Sequence, residues 1–284
     1  MTHQETSPEL RDDKIGDFTL KQAAIGVFDS GVGGLTVLKA IISLLPNENT
    51  VYLGDTARVP YGTKSRSIVI QYALEDARFL VKQKAKALVV ACNTISAQAM
   101  SELREEFNLP IIDIIGPASK AAVEKTKKKA IGVIGTEGTI NSSAYQQAIK
   151  QLDNTIEIYS KACPLFVPIV EEGLLEGEIP QKLVDMYLSE LAKKHIDVLI
   201  LGCTHYPLLR KPISKSMGPD VTVLDPAMAV ASELKRKLLE NNLLSDTVRG
   251  YRKFFFTSQP QKAEKIIQHL DIKVDTIEVA DLQG

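Results

Sequence analysis

The chain has 284 residues, enough for two domains whose folding buries roughly three quarters of the unfolded surface without help from disulfides or a metal. Its 44% hydrophobic and 24% charged residues argue against a disordered chain, a collagen-like fibre or a disulfide-dense module. A net charge of −1, no Trp and only 6% aromatics give no sign of a polyanion-binding or base-stacking surface, so no direct nucleic-acid binding is expected.

Residues 1–22 are polar, rich in acids and without periodicity, which predicts a mobile arm and no signal peptide. No run of 18 apolar residues occurs anywhere, so a transmembrane helix is not expected and a cytoplasmic protein is. From Ala24 short β-branched runs alternate with amphipathic stretches. Ala24–Phe28 reads as a strand, and the helix Leu35–Leu45 follows a Gly-rich loop. Val51–Leu53 is a strand, Ser65–Lys84 a long helix and Lys86–Ala91 a buried strand. A helix then runs to about Phe107, and Ile111–Ile115 is another strand. Continuous apolar strands separated by helices predict an α/β fold with parallel sheets covered on both faces.

A repeat is visible. Ala24–Val27 and Ala130–Val133 both read Ala-Ile-Gly-Val and lead into Gly-rich loops, 106 residues apart. Two apolar strands run into Cys92 and Cys203, 111 residues apart. Two matches in one order at nearly one offset predict a duplicated unit: two doubly wound parallel-sheet domains in pseudo-twofold relation, with core repeats at about 24–115 and 129–225. Ligands of open α/β sheets lie beyond the carboxyl ends of the strands, so both cysteines would face one interdomain cleft.

Three chemistries suit two facing thiols. A redox disulfide usually uses a close Cys-x-x-Cys pair, which is absent. A zinc site could draw on Cys92, Cys163, Cys203 and His205, but their spacing is wide and no knuckle motif occurs, so no metal is expected. Two-base catalysis at a stereocentre fits better: one thiolate removes a proton from one face while the opposite thiol delivers one to the other. Each cysteine precedes short polar residues, Asn93 and Thr94 or Thr204 and His205, at a strand-to-helix turn where backbone N–H groups bind carboxylates and lower a thiol pKa. Cys163 has no symmetric mate and reads as structural. Gly31, Gly33 and Gly34 do not complete a dinucleotide fingerprint, because Gly34 follows Gly33 directly and position 36 is Thr.

Five segments carry a resemblance over about Ile25–Asp225: FDSGVGGLTV (Phe28–Val37), GDTARVPYG (Gly54–Gly62), VVACNTIS (Val89–Ser96), CPLFVPIVEEG (Cys163–Gly173) and LGCTHYPLL (Leu201–Leu209). With them the chain resembles the glutamate racemases of the cofactor-independent aspartate/glutamate racemase superfamily. His205 after Cys203-Thr204 favours glutamate, since relatives acting on aspartate or hydantoins commonly lack it.

The resemblance implies catalysis by Cys92 and Cys203, the first deprotonating D-glutamate and the second L-glutamate. It places Asp29 and Ser30 beside the substrate amine and the first thiol, Tyr61 and Gly62 on a substrate-lining loop, and Asn93, Thr94 and Thr204 as donors to the carboxylates. Thr136 and Thr139 fall in the loop symmetric to Asp29–Ser30. His205 and Glu171 become the polar partners of the second thiol, Glu171 being chosen over Glu172 because it directly follows the apolar run. The resemblance further implies no cofactor, D-glutamate supply for peptidoglycan, and packing of the stretch from about residue 229 onto the first domain. The expected domains are therefore 23–119 with 229–284, and 120–228. Dimers are frequent in the family, and some members with an N-terminal extension respond to a UDP-linked wall precursor or contact DNA gyrase. Residues 1–22 raise both expectations here, though they carry no motif for either. An aspartate racemase and a non-catalytic binder of small acids are the alternatives.

Overall fold

The structure, a computed structural model, describes residues 20–282. Its first half contains β1 (Ala24–Asp29), α1 (Leu35–Leu44), β2 (Thr50–Gly54), α2 (Arg66–Lys82), β3 (Ala85–Val90), α3 (Asn93–Gln98), α4 (Met100–Glu106), β4 (Ile111–Asp113) and α5 (Ile115–Lys125). The second half contains β5 (Ala130–Gly135), α6 (Glu137–Asn141), α7 (Ala144–Leu152), β6 (Glu157–Ala162), α8 (Phe166–Glu171), α9 (Glu178–Ala192), β7 (Val198–Gly202), α10 (Arg210–Met217) and β8 (Thr222–Leu224). It is followed by α11 (Ala227–Glu240), β9 (Arg252–Phe256), α12 (Pro260–His269) and β10 (Thr276–Val279).

Two parallel sheets result, ordered β10-β9-β2-β1-β3-β4 and β6-β5-β7-β8. The run β2-β1-β3-β4 of the first sheet has the same order as the whole second sheet. Each Ala-Ile-Gly-Val segment forms the equivalent strand, β1 or β5, and each cysteine follows the equivalent neighbour, β3 or β7. The last strands extend the first sheet, β9 pairing with β2 and β10 with β9.

The apolar runs explain the layering. Ala24 and Phe28 share a core with Val69, Ala73 and Leu80 of α2, while Ile25 and Val27 face Leu35, Leu38 and Ile41 of α1. A strand buried on both faces needs apolar residues at every position, which is why no alternation appears. The α1 core continues through Ala118 and Ala122 of α5 to Ile131 and Val133 of β5, so one apolar layer joins the sheets. Ile134 turns to the opposite face, against Val184 and Leu188 of α9.

Three local readings need correction. The helix expected up to Phe107 breaks at Ala99, whose φ of −126° and ψ of 4° leave the helical region. Before the break Gln98 donates to the Gly138 carbonyl of the second half, at 3.2 Å, whereas beyond it Leu103 returns to the first core. Ile111–Ile115 is strand only to Asp113, because the Asp113 carboxylate accepts the Gly116 N–H at 2.7 Å and turns the chain into α5. Of the expected arm, residues 1–19 lie outside the described residues. Leu20–Gln22 form a 3-10 turn whose Lys21 carbonyl accepts from buried Lys86 at 2.5 Å.

Candidate active site

Both thiols arrive at one cavity. Cys92 is the residue before α3, and Cys203 directly follows β7. They line the space with Ser30, Tyr61, Gly62, Asn93, Thr94, Thr136, Thr204 and His205, all named by the sequence, and with Val59, Pro60 and Val167, which were not. The free space between these residues is about 20 Å³, the room of one water. This is a narrow, largely closed arrangement, and an amino acid enters only if the surrounding loops part.

The expected strand-to-helix turn holds for Cys92 but not for Cys203, which is followed by a 3-10 helix, Tyr206–Leu209, before α10 begins. A polar partner lies beside Cys203 instead. His205 Nδ1 lies 3.9 Å from Cys203 Sγ, and its Nε2 lies 2.6 Å from Glu171 Oε1. Burial disfavours the imidazolium, but the hydrogen bonds with Cys203 and Glu171 more than offset this and raise the His205 pKa to about 10. His205 is therefore protonated at neutral pH.

The first thiol has different surroundings. Cys92 Sγ donates to Ser30 Oγ at 3.6 Å. Burial, and then the charge of Asp29, push the Cys92 pKa up to about 12. In the closed site Cys92 is a thiol that holds its proton.

Three expected groups stand behind the cavity wall. Asp29, fully buried at the end of β1, accepts the Gly31 and Gly34 N–H groups at 3.1 and 3.0 Å and the Thr204 hydroxyl at 3.2 Å. Burial raises its carboxyl above the usual range, against the opposing pull of the His205 charge and these donors. Thr139 lies 3.1 Å from Thr136 and 3.5 Å from Thr94, oxygen to oxygen. Glu171 does not line the cavity and meets the site through His205. The identity of Glu171 rather than Glu172 as the His205 partner follows from that 2.6 Å contact.

The two halves meet directly here. Thr94 Oγ1 and Thr136 Oγ1 are 3.1 Å apart across the cleft, and Asp29–Thr204 bridges it a second time. Glycines permit this approach. A Cβ on Gly33 would lie 2.5 Å from Thr204 Oγ1, and one on Gly62 would lie 2.5 Å from Thr136 Cβ. The Gly-rich loop after β1 thus serves domain contact.

Tyr145 was not legible in advance. Its hydroxyl donates to Asn93 Oδ1 at 2.7 Å from the second half, and the buried Nδ2 of Asn93, beside the cavity, has no partner among the described residues. Tyr52 likewise donates to the Gly31 carbonyl at 2.8 Å. Tyr61 lines the cavity, and its hydroxyl meets Asp55 and Asp76, which do not. Cys163 lies in the core of the second half, and its carbonyl accepts the Tyr206 hydroxyl at 2.8 Å. Among the described residues no group of three or more His, Cys, Asp and Glu is set to hold a metal ion, and no helix is long and apolar enough to cross a membrane.

Residues 25–234 match the family model described as Asp/Glu/Hydantoin racemase. A glutamate racemase of Aquifex aeolicus is 50% identical over 86% of this chain and 92% of its own length. The crystal structure of a Francisella tularensis glutamate racemase in complex with D-glutamate is 40% identical, covering 93% of this chain and 99% of that one with a TM-score of 0.87. The Escherichia coli glutamate racemase in complex with L-glutamate and the activator UDP-MurNAc-Ala is 26% identical, covering 93% and 100%, with a TM-score of 0.80.

Proposed function

The chain belongs to the Asp/Glu/Hydantoin racemase family, and we propose from that premise that it interconverts L- and D-glutamate by proton transfer between two cysteines and the substrate Cα. The observation that carries this reading is the convergence of Cys92 and Cys203, one from each repeat, on a single cavity.

The two thiols are unequal, and their surroundings divide the work. With L-glutamate bound, Cys203 takes the Cα proton, supported by His205, which stays protonated against Glu171. Cys92, held as a thiol by burial and Asp29, protonates the opposite face. Run backwards, the same steps give the D-to-L reaction, with Cys92 as base: the Ser30 hydroxyl, which accepts from the thiol, donates to the thiolate. Charge that leaves Cα spreads onto the α-carboxylate as it becomes enediolate-like. Donors aimed at those oxygens stabilise it, and a dry, closed cavity strengthens them. Asn93 Nδ2 and Thr94 supply such donors; Ser30 faces the ammonium side, with Asp29 behind it holding the Thr204 hydroxyl.

The product serves peptidoglycan synthesis in this reading, and the enzyme works in the cytoplasm. Activation by a UDP-linked wall precursor, as named for the E. coli relative, is part of the same proposal. A homodimer and a gyrase contact rest on the family resemblance alone; sedimentation of the pure protein and a binding assay with gyrase test them.

Proton NMR in D2O with each glutamate enantiomer is the direct test. Wild type exchanges Hα and racemises, while Cys92→Ser and Cys203→Ser each lose racemisation. No exchange with glutamate, even with the wall precursor added, would overturn the reading; exchange with aspartate instead would select the sister activity.

A further inference from the structure

Outside the catalytic groups a connected buried polar cluster lies beneath the loop after β2. Asp55 and Asp76 are both fully buried. The Tyr61 hydroxyl donates to Asp55 and lies 3.3 Å from Asp76 Oδ2. Arg58 binds the same pair, with Nε 2.5 Å from Asp55 and an Nη 3.2 Å from Asp76, and its other Nη reaches Glu75. The guanidinium also stacks on Tyr72, 3.9 Å from the ring centre. From the end of β9, Thr257 donates to the second oxygen of Asp55 at 2.8 Å.

Three elements are thereby tied to one hydroxyl. None of Asp55, Arg58 and Asp76 lines the active cavity, yet the four residues directly after Arg58, Val59–Gly62, all do. Asp76 occupies the buried stripe of α2 with Val69, Ala73, Ala77 and Leu80, where packing alone calls for an apolar residue. A buried ionic cluster at such a place is poor as a source of stability and useful for fixing one geometry. The hydroxyl it holds belongs to Tyr61, which itself lines the cavity.

We propose that Asp55, Arg58 and Asp76 are positioning residues for racemisation. Acting through the Tyr61 hydroxyl, they set Val59–Gly62 in the geometry that closes the cavity over substrate. This rests on the cavity being the glutamate site.

Steady-state kinetics with glutamate on wild type, Tyr61→Phe, Asp76→Asn and the double variant test the proposal. Tyr61→Phe removes only the hydroxyl and leaves the carboxylates paired with Arg58, so it carries the test even if Asp76→Asn fails to fold. The expected result is a KM raised about tenfold, the factor equal to 1.4 kcal/mol, with a smaller fall in kcat. The double variant falls no further than the worse single, because both act through the placement of the Tyr61 hydroxyl. Arg58→Lys, which keeps charge without the fork, also raises KM. A lowered melting temperature with KM within twofold of wild type would mean a purely structural cluster and overturn the proposal, as would single-variant effects that multiply. Loss of racemisation in wild type itself would instead remove the functional reading beneath it.

Discussion

The contact between Gly62 and Thr136 makes a sharp test of the closed cavity. A Cβ on Gly62 would lie 2.5 Å from Thr136 Cβ, 2.8 Å from Cγ2 and 2.9 Å from Oγ1, where ordinary contact begins at 3.4 Å. Thr136 cannot step aside freely. Its hydroxyl lies 3.1 Å from those of Thr94 and Thr139 and accepts the Thr139 N–H at 3.3 Å as the cap of α6. In Gly62→Ala the loop must therefore retreat, by about 1 Å, and a misplacement of that size in a reacting site costs about a hundredfold in rate. Overpacking also destabilises the fold by about 1–3 kcal/mol. Circular dichroism of glutamate reports the racemisation rate, and thermal melting reports the second quantity. The enantiomers have equal free energy in water, so kcat/KM falls by one factor in both directions, which gives an internal check. If kcat/KM stays within threefold of wild type, the packing of Gly62 on Thr136 is not the geometry in which the reaction occurs.

Cys203→Ser retains Cys92, so exchange of the D-glutamate Hα in D2O survives while racemisation drops by about 10²–10⁴-fold; Cys92→Ser shows the mirror pattern with L-glutamate, and exchange of both enantiomers in either variant contradicts the assignment. Glu171→Gln removes one of the two hydrogen-bond partners that hold the His205 pKa near 10. The alkaline limb of its pH–rate profile moves down by about one unit or more, and an unmoved limb argues against a role for protonated His205. The raised His205 pKa also bears on stability. Its contribution is fully present below the unfolded value of about 6.5 and is lost as pH rises toward about 10. Melting temperature consequently falls across that window more steeply in wild type than in His205→Asn; equal slopes count against it. Tyr145→Phe frees the Asn93 amide from its 2.7 Å partner, and kcat/KM falls about tenfold, the worth of one buried hydrogen bond near 1.4 kcal/mol. Wild-type kcat/KM in that variant sinks the role given to Tyr145.

The sequence by itself determined the α/β class, the duplication and the two thiols. Strands such as Ala24–Phe28 are buried on both faces, so their composition identifies them without partners. A repeated Ala-Ile-Gly-Val and a repeated strand-end cysteine predict equivalent positions in equivalent sheets. What surrounds the thiols came from tertiary structure. Asp29 and Thr204 are 175 residues apart and Tyr145 and Asn93 are 52 apart, and no local pattern pairs them. Family resemblance named Tyr61 as substrate-lining, yet only the fold turned its hydroxyl toward Asp55 and Asp76. One signal was available there: an acid on the apolar stripe of α2 at Asp76. The break at Ala99 arose because α3 answers to the second half and α4 to the first. Periodicity and composition record which face of an element is buried. Which distant groups then meet is decided by how the two sheets close on each other, and the chemistry of this site resides in those meetings.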